Sequence, residues 1–166
     1  ARLGAALRRD MSDDPVRRFR RDAGDFRWAR VDLLRYKEEG SAPFRDITRQ
    51  TLFGGAGMRG ELRYFEVAAN GHSTLERHHH VHAVLVLRGR GRALVGTGVH
   101  AIDAFDLVTV PPLTWHQFRA AADAPLGFLC MVDAERDKPQ LPDAAALAAL
   151  RAVPAVDDFL AGVARG

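Results

Sequence analysis

Between Leu62 and Val132 the chain breaks into short apolar segments separated by turn residues. The segments read LRYFEVAA, HAVLVLRG, RALVG, VHAI, FDLVTVPP, WHQFRA and LGFLCMVD. Strands of about four to eight residues recurring every 8–12 or so predict an all-β sandwich or barrel. Helical patterns between the strands, which a parallel βαβ sheet would need, are missing from this stretch. Asn70-Gly71 reads as a turn, and Gly89-Arg90-Gly91 and Gly96-Thr97-Gly98 as tight hairpins.

The flanks have a different character. Residues 1–25 are polar and rich in arginine (Arg8, Arg9, Arg17, Arg18, Arg20, Arg21) and read as a disordered basic leader. Met11 is a candidate start, and the basic N-terminus lacks the continuous apolar run of a signal peptide. No DNA-binding motif or aromatic interleaving accompanies these arginines, so no nucleic-acid partner is expected. No apolar run approaches the roughly 20 residues that span a bilayer, so no membrane partner is expected either. Residues 26–60 read as an N-terminal extension packing on the barrel, 61–134 as the barrel and 135–166 as a helical tail. In that tail LPDAAALAALRAV offers Pro142 and Asp143 at a helix start, strong helix formers after them, and Pro154 as a stop. The single cysteine, Cys130, excludes an internal disulfide and suits a reducing, cytoplasmic compartment. Abundant alanine and arginine suggest a GC-rich bacterial source.

Chemistry concentrates just ahead of the central strands. Five of the seven histidines, at 72, 78, 79, 80 and 82, fall within GHSTLERHHHVH, and His116 follows in VPPLTWHQF. Side chains alternate along extended chain, so Glu76 and His78 share a face. A bend at 79–81 would bring His82 beside them, and His116 would arrive from another strand. Three imidazoles and a carboxylate suit a divalent transition metal and leave positions open for substrate. Glu76, His78, His82 and His116 are therefore the expected ligands of one ion of Fe, Mn, Ni, Co, Cu or Zn. His80 is expected to work beside them as a proton shuttle, with Glu76 as a second catalytic candidate. His72, His79 and His100 read as ordinary polar residues. Val84, Val86, Trp115, Phe118 and Cys130 are expected to shape the substrate pocket; parity leaves open whether Arg63 or Tyr64 faces it.

At these residues the chain resembles the cupin superfamily, in particular small single-domain metal-binding cupins with His at the usual Glu position. The family's first motif reads G, about four or five residues, H-x-H, three or four residues, E, six residues, G. Gly71 and Gly89 match its glycines, Glu76 and His78 its H-x-H, and His82 its Glu. The second motif is matched by Phe105-Asp106-Leu-Val-Thr-Val-Pro-Pro-Leu-Thr-Trp-His116, with Phe105 in place of glycine and Ala120 in place of Asn. The resemblance implies a jelly-roll barrel, a metal site and, from the family's habit and its exposed strand edges, a homodimer. In a second register His78 and His80 form H-x-H, but Val84 or Leu85 then occupies the Glu position and cannot ligate.

The function expected is a metal-dependent enzyme acting on a small aromatic or diketone-like molecule, most simply a dioxygenase, because the assignable inward positions are mostly apolar. An isomerase or lyase of the same fold ranks next; it would want several charged groups inside the barrel. A non-catalytic module sensing a metal or small molecule ranks third.

Overall fold

The computed structural model describes residues 16, 18–20, 26–38, 40–55 and 57–162. Most of the expected basic leader, 1–25, lies outside them. The chain divides into Ala1–Val31 and Asp32–Gly166. In the first unit β1 (Phe19–Arg20) pairs antiparallel with β2 (Arg27–Trp28), and the Phe19 and Trp28 rings meet edge to face at 4.8 Å.

The second unit is a closed antiparallel barrel followed by two short helices. Its strands are β3 (Leu34–Arg35), β4 (Arg45–Phe53), β5 (Gly60–His72), β6 (His82–Val95), β7 (Gly98–Asp103), β8 (Leu107–Val110), β9 (His116–Ala120) and β10 (Leu126–Asp133). The long strands β5 and β6 each serve two sheets. The first part of β6 lies between β10 and β8; its second part lies between β7 and β9. β5 pairs with β4 and β10 along most of its length, and with β9 at His72. The ring β10–β6–β9–β5–β10 closes the barrel.

Two expected turns are bends within strands instead. Gly89 adopts φ +69° inside β6, paired with Leu126 next to a register shift between Gly127 and Phe128 of β10. Asn70 adopts φ +64° inside β5. Turn residues supply the positive φ that either feature needs, so local sequence does not distinguish a hairpin from a corner where a strand changes sheet. Gly96-Thr97 does form the expected hairpin, with Val95 paired to Gly98.

Alternation along the strands fills the interior. Val84 and Val86, Phe65 and Val67, Phe128 and Cys130, Val110 and Phe118 are buried in one cluster. A second cluster covers the other side of the β6–β7 face. There α1 (Ala144–Arg151) and α2 (Pro154–Leu160) bury Leu150, Val156 and Phe159 against Leu94, with Val99 and Trp115 alongside. Asp143 caps α1 as expected, accepting from the Ala146 amide. Pro154 starts α2 as well as stopping α1, since its fixed φ suits a first helical turn.

Gly89 cannot take a side chain: it has positive φ, and a Cβ would collide with the Pro125 carbonyl. Gly89→Ala is therefore expected to lower the unfolding free energy by roughly 2–4 kcal/mol, read by urea denaturation. An unchanged midpoint would show that the β6 corner does not depend on this glycine.

Candidate metal centre

The bend between β5 and β6 and the start of β9 bring the histidines together. Glu76 bridges to His116 through reciprocal backbone hydrogen bonds of 3.2 and 3.0 Å, which fixes the 73–81 segment against β9. His78, His82 and His116 offer one donor atom each, all within 4.8 Å of one another. They come from the loop, the first residue of β6 and the first residue of β9.

Two of these rings are oriented as metal ligands usually are. His78 Nδ1 lies 2.8 Å from the His80 carbonyl, and His116 Nδ1 lies 2.9 Å from the Thr114 carbonyl. A carbonyl can only accept, so each Nδ1 carries the proton and each Nε2 keeps its lone pair. His78 is 1% exposed, and its Nε2 is buried with no hydrogen-bond partner. A buried lone pair without a donor is unusual and calls for a ligand. These donors fit a divalent transition metal.

Electrostatics agree. Burial, reinforced by His116 and His78, pulls the His82 imidazole down to about 2. Burial likewise lowers His116 to about 4, against the hydrogen bond to Thr114. His78 is lowered too, by burial and then by His80. All three stay neutral near pH 7, as metal ligation requires.

His80 lies at the edge of this group. Its Nε2 is 3.2 Å from His82 Nε2, its ring stacks on His78 at 3.7 Å, and its Nδ1 meets Asp137 Oδ1 at 2.9 Å. Asp137 also accepts from the His79 amide, and these bonds hold its carboxyl well below the usual range. Glu76 is not part of the compact donor group. Its buried carboxylate is ion-paired with Lys37 Nζ. Burial lifts the carboxyl above its usual range, and Lys37 opposes that shift.

The four histidines, Glu76 and Lys37 line one cavity of about 230 Å³. Val84, Phe118 and Cys130 line it as expected, with Phe65 and Phe128. Burial pushes the Cys130 thiol up to about 12, so it is a protonated thiol near neutrality. Val86 and Trp115 do not line it. Val86 is buried in the packed core, paired with Phe128 of β10. Trp115 has the opposite parity to His116; it packs in the outer cluster, with the Arg77 guanidinium 4.5 Å from its ring centre.

The mostly apolar lining expected for the pocket is joined by charges that were not expected there. Lys37, Arg49, Arg63 and Arg136 also line the cavity. Arg63 shares a β5 face with Phe65, whereas Tyr64 faces away and bonds Glu66. Lys37 and Arg49 come from the 26–60 segment and Arg136 follows β10, so no pattern around the histidines announces them. Asp137 escaped notice for the same reason.

The model of the cupin domain matches residues 63–132. A protein of Rhodospirillum rubrum named 1-methylthio-D-xylulose 5-phosphate methylsulfurylase is 63% identical over 155 residues, covering 93% of this chain and 98% of that protein. The chain belongs to the cupin superfamily. A crystal structure of a cupin-2 domain from Rhodospirillum rubrum superposes with a TM-score of 0.81 at 63% identity, covering 89% of this chain and 99% of that one. A cupin 2 conserved barrel protein from Rhodopseudomonas palustris gives 0.76 at 52% identity, covering 80% and 92%. The three clustered histidines lie inside the matched stretch of this cupin. Lys37, Arg49, Arg136 and Asp137 lie outside it.

A pH dependence follows for the metal-free cupin. Unfolded histidines take a proton near pH 6.5 or so, whereas folded His116 resists to about 4 and His82 further. Between those values the unfolded chain binds more protons, so lowering the pH favours unfolding. The melting temperature in chelator is expected to fall as the pH drops below about 6.5 and to be insensitive to these groups above it. His116→Gln should flatten the fall. A wild-type melting temperature that rises on acidification would contradict neutral, buried imidazoles.

Proposed function

We propose that this chain is a metal-dependent enzyme acting on a methylthio-pentulose phosphate, the substrate class stated in the name of its Rhodospirillum rubrum relative. One observation carries the reading: a group of three neutral histidines and four cationic side chains share a single small cavity. Ligand pockets run upward from about 300 Å³, so a cavity slightly below that suits a small metabolite. The cations weigh against the aromatic or diketone substrate of a dioxygenase and favour an anionic, oxygen-rich one.

His78, His82 and His116 would hold the metal, with Glu76 as a further ligand if its carboxylate leaves Lys37. A divalent ion there would supply Lewis acidity to a substrate carbonyl. Other steps belong to the protein's own groups. Methylsulfuryl transfer leaves the carbon–sulfur bonding pair on the carbon beside the ketone and hands the sulfur to a nucleophile of the thiolate class. The carbon then takes a proton. His80, held by Asp137, would deliver it, while Glu76, ion-paired with Lys37 as a carboxylate, could only accept a proton. Phe65, Phe118, Phe128 and Val84 offer the apolar wall that a methylthio group needs.

We also propose that the chain pairs with a second copy. Phe105 and Leu107 are 82% and 67% exposed at and beside the start of β8, more apolar surface than a strand edge usually shows. Light scattering at micromolar concentration is expected to give twice the chain mass; a monomer would refute the pairing.

Turnover tests the enzyme reading. Metal-loaded protein, given 1-methylthio-xylulose 5-phosphate and a small thiol, is expected to yield a methylthio-capped disulfide and a 1-deoxy-ketose phosphate by mass spectrometry. His78→Ala should lose bound metal and at least ~100-fold in turnover while staying folded. Unaltered substrate with metal-loaded wild type, or oxygen uptake in place of sulfur transfer, would overturn the proposal.

A further inference from the structure

Arg49 is the charge in the cavity with the fewest partners. Its Nε is buried and has no hydrogen-bond partner among the described residues. The other cations at this wall are engaged: Lys37 with Glu76, and both Arg63 and Arg136 with Glu61. Arg49 and Arg63 share the inward face of neighbouring strands, one rung apart, because Arg49 pairs with Phe65 and Thr51 pairs with Arg63. Burial and the nearby Arg63 both act against the charge on Arg49. Glu61 acts the other way but leaves the buried Nε without a hydrogen bond, and a half-buried cation with incomplete pairing is costly. Such an arrangement is retained where an anion arrives to compensate it.

The charges match a particular anion. Lys37, Arg49, Arg63 and Arg136 face the two carboxylates of Glu76 and Glu61, a surplus of two positive charges. A phosphate monoester carries roughly −1.5 to −2 at pH 7. Guanidinium forks bind its oxygens in pairs, which an ammonium cannot do. Glu61 sets the positions of two of the forks in advance: one oxygen of its carboxylate accepts from Arg63 Nε at 2.8 Å and from Arg136 Nη1 at 3.2 Å. Arg49 is left with unused donors on the same wall.

We propose that Arg49, Arg63 and Arg136 form a phosphate-binding subsite on the β4–β5 side of the cavity, with Arg49 as the residue that separates phosphorylated from unphosphorylated substrates. This rests on the sugar-phosphate reading above and gives the substrate an orientation, with its phosphate at the arginines and its ketone end at the histidines.

Calorimetric titration of the metal-loaded protein tests it, with xylulose 5-phosphate, xylulose and inorganic phosphate as probes. Wild type is expected to bind both phosphorus-containing probes and to bind xylulose far more weakly. Arg49→Met should weaken both phosphorus-containing probes by about 10- to 100-fold, with metal content unchanged and a melting temperature no lower than that of wild type. Arg49→Gln, which keeps a polar head, carries the same expectation if the Met variant does not fold. If a folded Arg49 variant binds xylulose 5-phosphate as wild type does, the Arg49 assignment fails while the sugar-phosphate reading stands. If wild type binds neither phosphorus-containing probe, that reading fails and the subsite falls with it.

Discussion

β6 must serve two sheets in fourteen residues, and the rest of the barrel depends on how it does so. Before Gly89 its backbone groups pair with β10 and β8; after it they pair with β7 and β9. A positive φ at Gly89 turns the strand between the two. The same corner sets the direction of His82 at one end of the strand and of Leu94 near the other. His82 enters the cavity and Leu94 meets the helices on the outside. Site and outer cluster are thus two consequences of one backbone geometry.

The second constraint is that buried polar groups need partners. At the metal centre the carbonyls of His80 and Thr114 take the Nδ1 protons of His78 and His116, so their lone pairs sit on Nε2, and that of His78 is buried without a hydrogen-bond partner. In an apolar interior this would be a defect, because a buried unsatisfied nitrogen destabilises by about 1–3 kcal/mol. It becomes useful when a cation supplies the missing partner. The aromatic and aliphatic residues below, Phe118, Phe128 and Val84, strengthen that demand by excluding water. Low-dielectric surroundings hold the histidines neutral, and neutral histidines are what a metal requires. Packing and electrostatics therefore favour the same occupant.

How much of this was legible in the sequence depends on range. Short apolar segments between turn residues marked β5 to β10, though not β3 and β4, and the spacing of His78 and His82 between Gly71 and Gly89, with His116 in the second motif, located the histidine cluster. Both signals are local or semi-local. Misreadings arose where one residue type serves two geometries: Gly89 and Asn70 fit a hairpin or a strand corner equally well, and only long-range pairing decides. Val86 and Trp115 show a different limit. Parity says which face of a strand a residue occupies, but depth decides whether it reaches the cavity, and helix packing decides what the other face touches. Lys37, Arg49 and Arg136 were illegible for a stricter reason. They stand on segments before and after the motif-bearing strands, and only strand pairing with β5 and the path of the chain after β10 bring Arg49 and Arg136 to the same wall.

That separation bears on how a barrel of this kind acquires a particular substrate. The histidines supply a chemistry that many small carbonyl compounds could use, and they lie within the stretch common to the superfamily. Three of the four cations lie outside it, on β3–β4 and on the segment after β10. Charge at the wall then acts as the selector. On the proposed reading, a surplus of positive charge without full pairing would be offset when a dianion reaches the arginines and the metal side together. An apolar diketone would leave Arg49 uncompensated and draw no benefit from the forks held by Glu61. Discrimination of this kind comes less from added attraction than from the cost of leaving a half-buried guanidinium incompletely paired, which is why the partnerless Nε of Arg49 says more about the proposed substrate than the hydrophobic residues around it.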